Sequence, residues 1–175
     1  FVFSCKDDDY VKNFINRMEF CLNFNLEQIS LINKLENIEF VIIDWGSKNK
    51  ISEKFRVTNE KFKENIKFFY FNPEIAEKGN ENLPGKFFQE LAINCGIRRS
   101  SGSHILVGHH DTIFAKSSWD NIFRVIEDDH FNKFLFWVPR YDLNRGFVSN
   151  ATRLDAVQLE HLRQSDDEVR EVRRQ

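Results

Sequence analysis

Residues 105–114 read ILVGHHDTIF, an apolar run that stops abruptly at His109, His110 and Asp111. Imidazole and carboxylate groups at that density suit a closed zinc site, a His-Asp general base beside a nucleophile, a hard divalent cation holding phosphate oxygens, or a strand end that is only solvated. Side chains alternate along a strand, which sends His109 and Asp111 to one side and His110 to the other. Two donors at that spacing can share one cation. A closed zinc site needs three or four nitrogen or sulfur ligands, and the remaining candidates, His104, Cys95, His130 and His161, follow no motif spacing. The nucleophile reading lacks a G-x-S-x-G elbow, and Cys5 and Cys95 lie in apolar runs that suit buried thiols. A hard cation beside a nucleotide phosphate fits the acidic residue better.

Such a site needs elements to hold it. Residues 1–5 (FVFSC), 38–43 (IEFVII), 66–71 (IKFFYF), 104–109 and 133–138 (KFLFWV) are short apolar runs rich in β-branched and aromatic residues, and read as buried strands. Between the first two, Val11, Phe14, Ile15, Met18, Cys21 and Leu22 recur at three- and four-residue steps after Asp7-Asp8-Asp9, a start that can cap a helix. The same period marks a helix over 86–99, with Phe87, Phe88, Leu91, Ala92 and Cys95 on one face. Another begins near Ser117, with Trp119, Ile122, Phe123 and Ile126 inside. Residues 74–86 show no convincing period and read as a loop. Strands alternating with helices predict a parallel, sandwiched α/β sheet.

With 175 residues, one ordinary domain with a real core is expected. Phenylalanine is over-used, at 19 residues, which points to an aromatic core. A formal charge of −2 and a pI near 6.2 leave no field for neutralising nucleic-acid phosphates, so no nucleic-acid partner is expected. No apolar stretch approaches the ~18 residues that span a bilayer, and no signal peptide is evident, which makes the cytoplasm the expected compartment. The three cysteines are too widely spaced to suggest a disulfide framework.

In open α/β sheets, ligands sit outside the carboxyl ends of the strands. Those ends carry Ser4-Cys5-Lys6-Asp7-Asp8, Asp44-Trp45-Gly46-Ser47, Asn72-Pro73 and His109-His110-Asp111. Neither G-x-G-x-x-G nor G-x-x-x-x-G-K-[ST] occurs, so the dinucleotide and P-loop modes have no support. A ligand at the glycine-poor first turn must be held by side chains.

In this order, FVFSCKDDDY, EFVIIDWGS, FFQELAINCGIRRSSGSHILVGHHDTIF and FLFWVPRYDL resemble the GT-A-fold, family-2-like inverting glycosyltransferases, enzymes that use a nucleotide-sugar donor. The likeness covers residues 1 to about 143. It implies a GT-A (Rossmann-like) open, mostly parallel sheet with flanking helices. Residues 1–150 would form the nucleotide-sugar-binding domain, and 151–175 a charged helical tail of the same domain. By that likeness Ser4, Lys6 and Asp8 lie near the nucleotide, Asp44 meets the base or ribose, and Asn94 and Arg98 approach the diphosphate. The family's metal motif, Asp-x-Asp or a relaxed form ending in Asp, falls on His109-His110-Asp111. Asp111 would then coordinate Mn²⁺ or Mg²⁺ bridging the diphosphate, with His109 facing ribose or metal.

The donor so implied is UDP- or GDP-linked, and the acceptor is a hydroxyl of a glycan or another molecule. His109 stands where the motif's first Asp would be, and Ile93 where a basic residue is common. The family's general base and acceptor pocket lie beyond the strand matching FLFWVPRYDL, so the likeness lacks the acceptor half. The tail over 155–175 carries sparse apolar residues at helical intervals, which suits a solvated helix or a docking helix for a partner chain. A non-catalytic donor-binding or scaffold protein on the same fold is the alternative.

Overall fold

The structure is a computed structural model that describes residues 1–7, 13–80, 89–128, 141–143 and 169–171. The chain divides into two compact units, Phe1–Ile113 and Phe114–Gln175.

In the first unit, three of the apolar runs form a parallel sheet of β1 (Val2–Cys5), β2 (Phe40–Trp45) and β3 (Ile66–Phe71), in the order β1-β2-β3. Ser4 pairs with Ile43, Cys5 with Asp44, and Asp44 with Tyr70. Paired residues of parallel strands share a face. Val2, Ser4, Val41, Ile43 and Trp45 therefore line one side, and Cys5, Ile42 and Asp44 the other. Every residue of β2 is buried. A strand covered on both faces has no reason to alternate, which accounts for its continuous FVII run. Each such large apolar side chain contributes about 1.5–3 kcal/mol when buried.

Helix α1 (Phe14–Leu31) buries Met18, Leu22, Leu26 and Ile29, a stripe at helical spacing. It starts later than the acidic triplet predicts. Asn13, in the left-handed region at φ 58°, precedes its first residue with no side-chain cap. Asp7 instead faces Ser47 and Lys54, while Asp8 and Asp9 lie outside the described residues. Beyond a short α2 (Ile51–Lys54), β3 leads directly into α3 (Pro73–Asn80). This helix occupies part of the stretch predicted as a loop. Asn72, expected only to end the strand, also caps the helix by accepting a hydrogen bond from the Ile75 N–H at 2.8 Å, and Pro73 suits a first helical position.

Helix α4 (Gln89–Ile97) covers the Val2 and Ile43 side of the sheet with buried Ala92 and half-buried Leu91 and Cys95. Phe87 and Phe88 lie outside the described residues. Gly96 brings α4 against β1 and β2 so closely that an added Cβ would stand 2.5 Å from Val2 Cγ1 and 3.0 Å from Ile43 Cγ1.

The predicted strand at 104–109 is not a strand. One parallel bridge joins Val107 to Val2, made by Val2 N–H to Leu106 O at 2.8 Å and Gly108 N–H to Val2 O at 3.1 Å. Ile105 and Val107 are 39% and 48% exposed, so the apolar run is not buried, and a turn closed by Thr112 N–H to His109 O ends it at once.

In the second unit, α5 (Lys116–Glu127) buries Trp119 and Phe123, and the Trp119 ring packs 4.9 Å from that of Phe114. Two short strands, β4 (Tyr141–Leu143) and β5 (Val169–Glu171), pair antiparallel with Asp142 opposite Arg170. The predicted helical tail is thus extended at 169–171, where Val169 pairs with Leu143. The run at 133–138 and the rest of the tail fall outside the described residues. No helix among the described residues is long and apolar enough to cross a membrane.

Candidate functional site

The strands march from β1 through β2 to β3, and the chain then returns to the far side of β1 at Val107. Strand order reverses between β1 and the 105–108 segment. In α/β sheets such a reversal opens a crevice at the carboxyl ends. Here it is flanked by Cys5-Lys6-Asp7 on one side and His109-His110-Asp111 on the other.

On the β1–β2 side, Asp44 organises the turn that follows its own strand. Its Oδ1 accepts from Ser47 N–H at 3.3 Å and its Oδ2 from Ile51 N–H at 2.9 Å. Gly46, at φ +83°, lets the chain reverse between them, a conformation that costs glycine little. Ser47 Oγ accepts from Asp7 N–H at 2.8 Å, and Asp7 pairs with Lys54 at 2.7 Å. Asp44 is 1% exposed. Burial pushes its pKa up, and the N–H groups of Ile51 and Ser47 pull it back. Its carboxylate is therefore engaged with its own loop, and a base or ribose would have to compete with the Ile51 N–H.

Ser4 is buried on the opposite face, with an Oγ that has no partner among the described residues; Trp45 Nε1, on that same face, is likewise without one. Lys6 is half-buried at the crevice. Asp8 lies outside the described residues. Asn94 and Arg98 share the exposed side of α4. The structure does not bring Arg98 to the crevice. Returning from the end of β3, α4 leads into residues 100–102, which Glu39 binds at the amino edge of β2 through Ser101 Oγ at 2.9 Å and Gly102 N–H at 3.3 Å.

Across the crevice, His109 and Asp111 are exposed while His110 lies inward, the sides the sequence reading expected, reached in a turn and not along a strand. The His110 ring packs 4.7 Å from Phe14, its Nε2 is buried without a partner among the described residues, and burial lowers its pKa. Helix α1 fixes this turn twice. Asn25 donates to Thr112 O at 2.8 Å, and the Arg17 guanidinium forms an ion pair with Asp111 Oδ2. Burial, then the nearby Asp111 charge, push the Cys21 thiol up to about 12.

Among the described residues at this turn, His109 and Asp111 carry donor groups of the kind that hold cations, and Asp111 is paired with Arg17. No group of three or more His, Cys, Asp or Glu side chains suited to a metal ion occurs among the described residues. His104 is exposed and contacts Ser103 Oγ at 3.0 Å, and Cys5, Cys21 and Cys95 are free thiols. A separate depression of about 370 Å³ lies between the last turns of α1 and residues 58–62, lined by Gln28, Leu31, Thr58 and Phe62. Eleven residues of helix separate Gln28 from Arg17, roughly 16 Å along the axis.

Sequence reasoning missed Arg17 and Asn25. Both sit within a regular helical stretch, and nothing local marks them. Asp7 and Lys54 were equally hidden as partners, since 47 residues separate them. Compared with known protein families, with curated proteins and with solved structures, the chain matches none.

Proposed function

We propose that the crevice at the carboxyl ends of β1 and the 105–108 segment binds the nucleoside diphosphate of a UDP- or GDP-linked sugar. On this reading the protein is a GT-A-type inverting glycosyltransferase that passes the sugar to a hydroxyl of a glycan or other acceptor. The observation that carries it is the reversal of strand order at β1, with Lys6 on one side and His109 and Asp111 on the other. The resemblance of the ordered segments to that family supports the same reading.

Asp111 is a hard oxygen donor and suits Mn²⁺ or Mg²⁺, with His109 the adjacent nitrogen donor. When bound, such a cation neutralises charge that develops on the leaving diphosphate. The protein's own groups bind and orient. Lys6 supplies positive charge beside the phosphates, whereas the Ser4 hydroxyl, buried and without a partner among the described residues, would meet a nucleotide only if the face over it opened. Asp44 keeps the turn after β2 in place. No residue is assigned as general base.

A non-catalytic nucleotide-sugar-binding protein on the same fold is the second reading, favoured by the Arg17 guanidinium already seated on Asp111. Release of UDP or GDP from the corresponding sugar nucleotides, with and without Mn²⁺, separates the two. Metal-dependent release that Asp111→Asn abolishes supports the transferase. Donor binding without release of nucleotide or transfer supports the second reading, and absence of binding contradicts both.

A further inference from the structure

The Arg17–Asp111 pair joins the first turn of α1 to the turn that ends the HHD run, across 94 residues of sequence. Each side chain is 40% exposed. Exposed ion pairs contribute little to stability, so the contact is poorly explained as a fold-stabilising tie and is cheaply opened. Asn25 and the packing of His110 on Phe14 hold the same turn independently. The turn therefore keeps its place when the pair opens.

Taking the donor site of the preceding section as its basis, we infer that Arg17 is a diphosphate-binding residue that serves as the counter-ion of Asp111 until a metal–diphosphate complex arrives. A cation and a guanidinium compete for Asp111 Oδ2. A bare cation must displace Arg17 and leave it without a partner. A cation that brings a diphosphate supplies the replacement: the hydrogen bonds from Arg17 to Asp111 break, the carboxylate coordinates the cation, and the guanidinium N–H groups donate to phosphate oxygens. Guanidinium binds phosphate through strong, charge-assisted and often bidentate hydrogen bonds. Metal and nucleotide should consequently bind with positive coupling, each tightening the other by the same factor.

The test compares the wild-type chain with Arg17→Gln and Arg17→Lys. Mn²⁺ alone is followed by electron paramagnetic resonance of the free ion, and UDP and GDP in saturating Mn²⁺ by calorimetry. Arg17→Gln should bind Mn²⁺ alone several-fold more tightly, because its carboxylate is unoccupied, while its nucleotide affinity falls about tenfold, the scale of one lost charged hydrogen bond. Arg17→Lys should recover part of the nucleotide affinity. Opposite shifts in the two measurements support the exchange, because general damage to the fold would weaken both. If the wild type binds nucleotide with metal and Arg17→Gln changes neither constant, or weakens both alike, the exchange is overturned while the donor site stands. If the wild type binds no nucleotide with metal, the exchange falls together with the donor site.

Discussion

Arg17 on α1 and Asp111 at the end of the HHD run form an ion pair between residues 94 positions apart, so a helix that follows β1 neutralises the acidic residue on the opposite side of the crevice. Two aspartates singled out by sequence thereby acquire different surroundings. Asp44 is buried and bonded by its own loop, whereas Asp111 is partly exposed and paired with the Arg17 guanidinium.

Placement of the Asp111 turn depends on Asn25. It is 1% exposed and donates to both Cys21 O and Thr112 O at 2.8 Å. Asn25→Asp replaces those donors with oxygens facing carbonyl oxygens, and should cost about 2–3 kcal/mol. Urea unfolding measures the cost, and a change below 0.5 kcal/mol would contradict the clamp, being the size expected of a surface substitution.

Gly96→Ala sets helix propensity against packing. Alanine favours the helix by about 1 kcal/mol, but its Cβ would meet Val2 and Ile43 at 2.5 and 3.0 Å in a filled core. Overpacking costs about 1–3 kcal/mol, so net destabilisation of about 1 kcal/mol is expected in thermal or urea unfolding. A stabilised variant would show that α4 stands off the sheet.

Glu39 ties the amino edge together through Lys67, Ser101 and Gly102. Burial alone would raise its pKa, but the hydrogen bonds from Lys67 and Ser101 outweigh burial and hold it at about 2, against the ordinary 4.5. A carboxyl group with a lowered folded-state pKa contributes stability above about pH 4.5, and the contribution is lost as pH falls toward 2. Glu39→Gln should therefore cost about 1–2 kcal/mol near neutrality, with the gap to wild type closing in acid. Unfolding curves across that range check the sign, and a gap that stays constant or widens in acid would be the wrong result.

What could be read in the sequence follows from how local each feature is. The IKFFYF run, five β-favouring or apolar residues with a single lysine among them and ended by Asn72-Pro73, became β3 over the same residues. The equally apolar run at 104–109 did not become a strand, because composition reports burial preference and not whether a neighbouring ladder continues beyond Val107. Asn72-Pro73 is a signal with two meanings, strand stop and helix start, and the chain uses both. His110 lies on the inward side that strand alternation predicts, but a turn and not a strand pleat puts it there. The Arg17–Asp111 and Asp7–Lys54 contacts were not, because they depend on how distant segments fold together. An aspartate after a strand serves a turn as readily as a ligand, and in Asp44 the turn has taken both oxygens.

On the proposed reading, the crevice beside β1 holds a metal-assisted nucleoside diphosphate site. Calorimetric titration of the full chain with UDP and with GDP, in Mn²⁺ and again after EDTA, with Asp111→Asn run alongside, is the deciding measurement. One nucleotide should bind in Mn²⁺, and EDTA or Asp111→Asn should weaken binding at least tenfold, no less than the loss of an outer-shell partner of a bound metal costs. No heat with either nucleotide, or binding indifferent to both EDTA and the substitution, would contradict it.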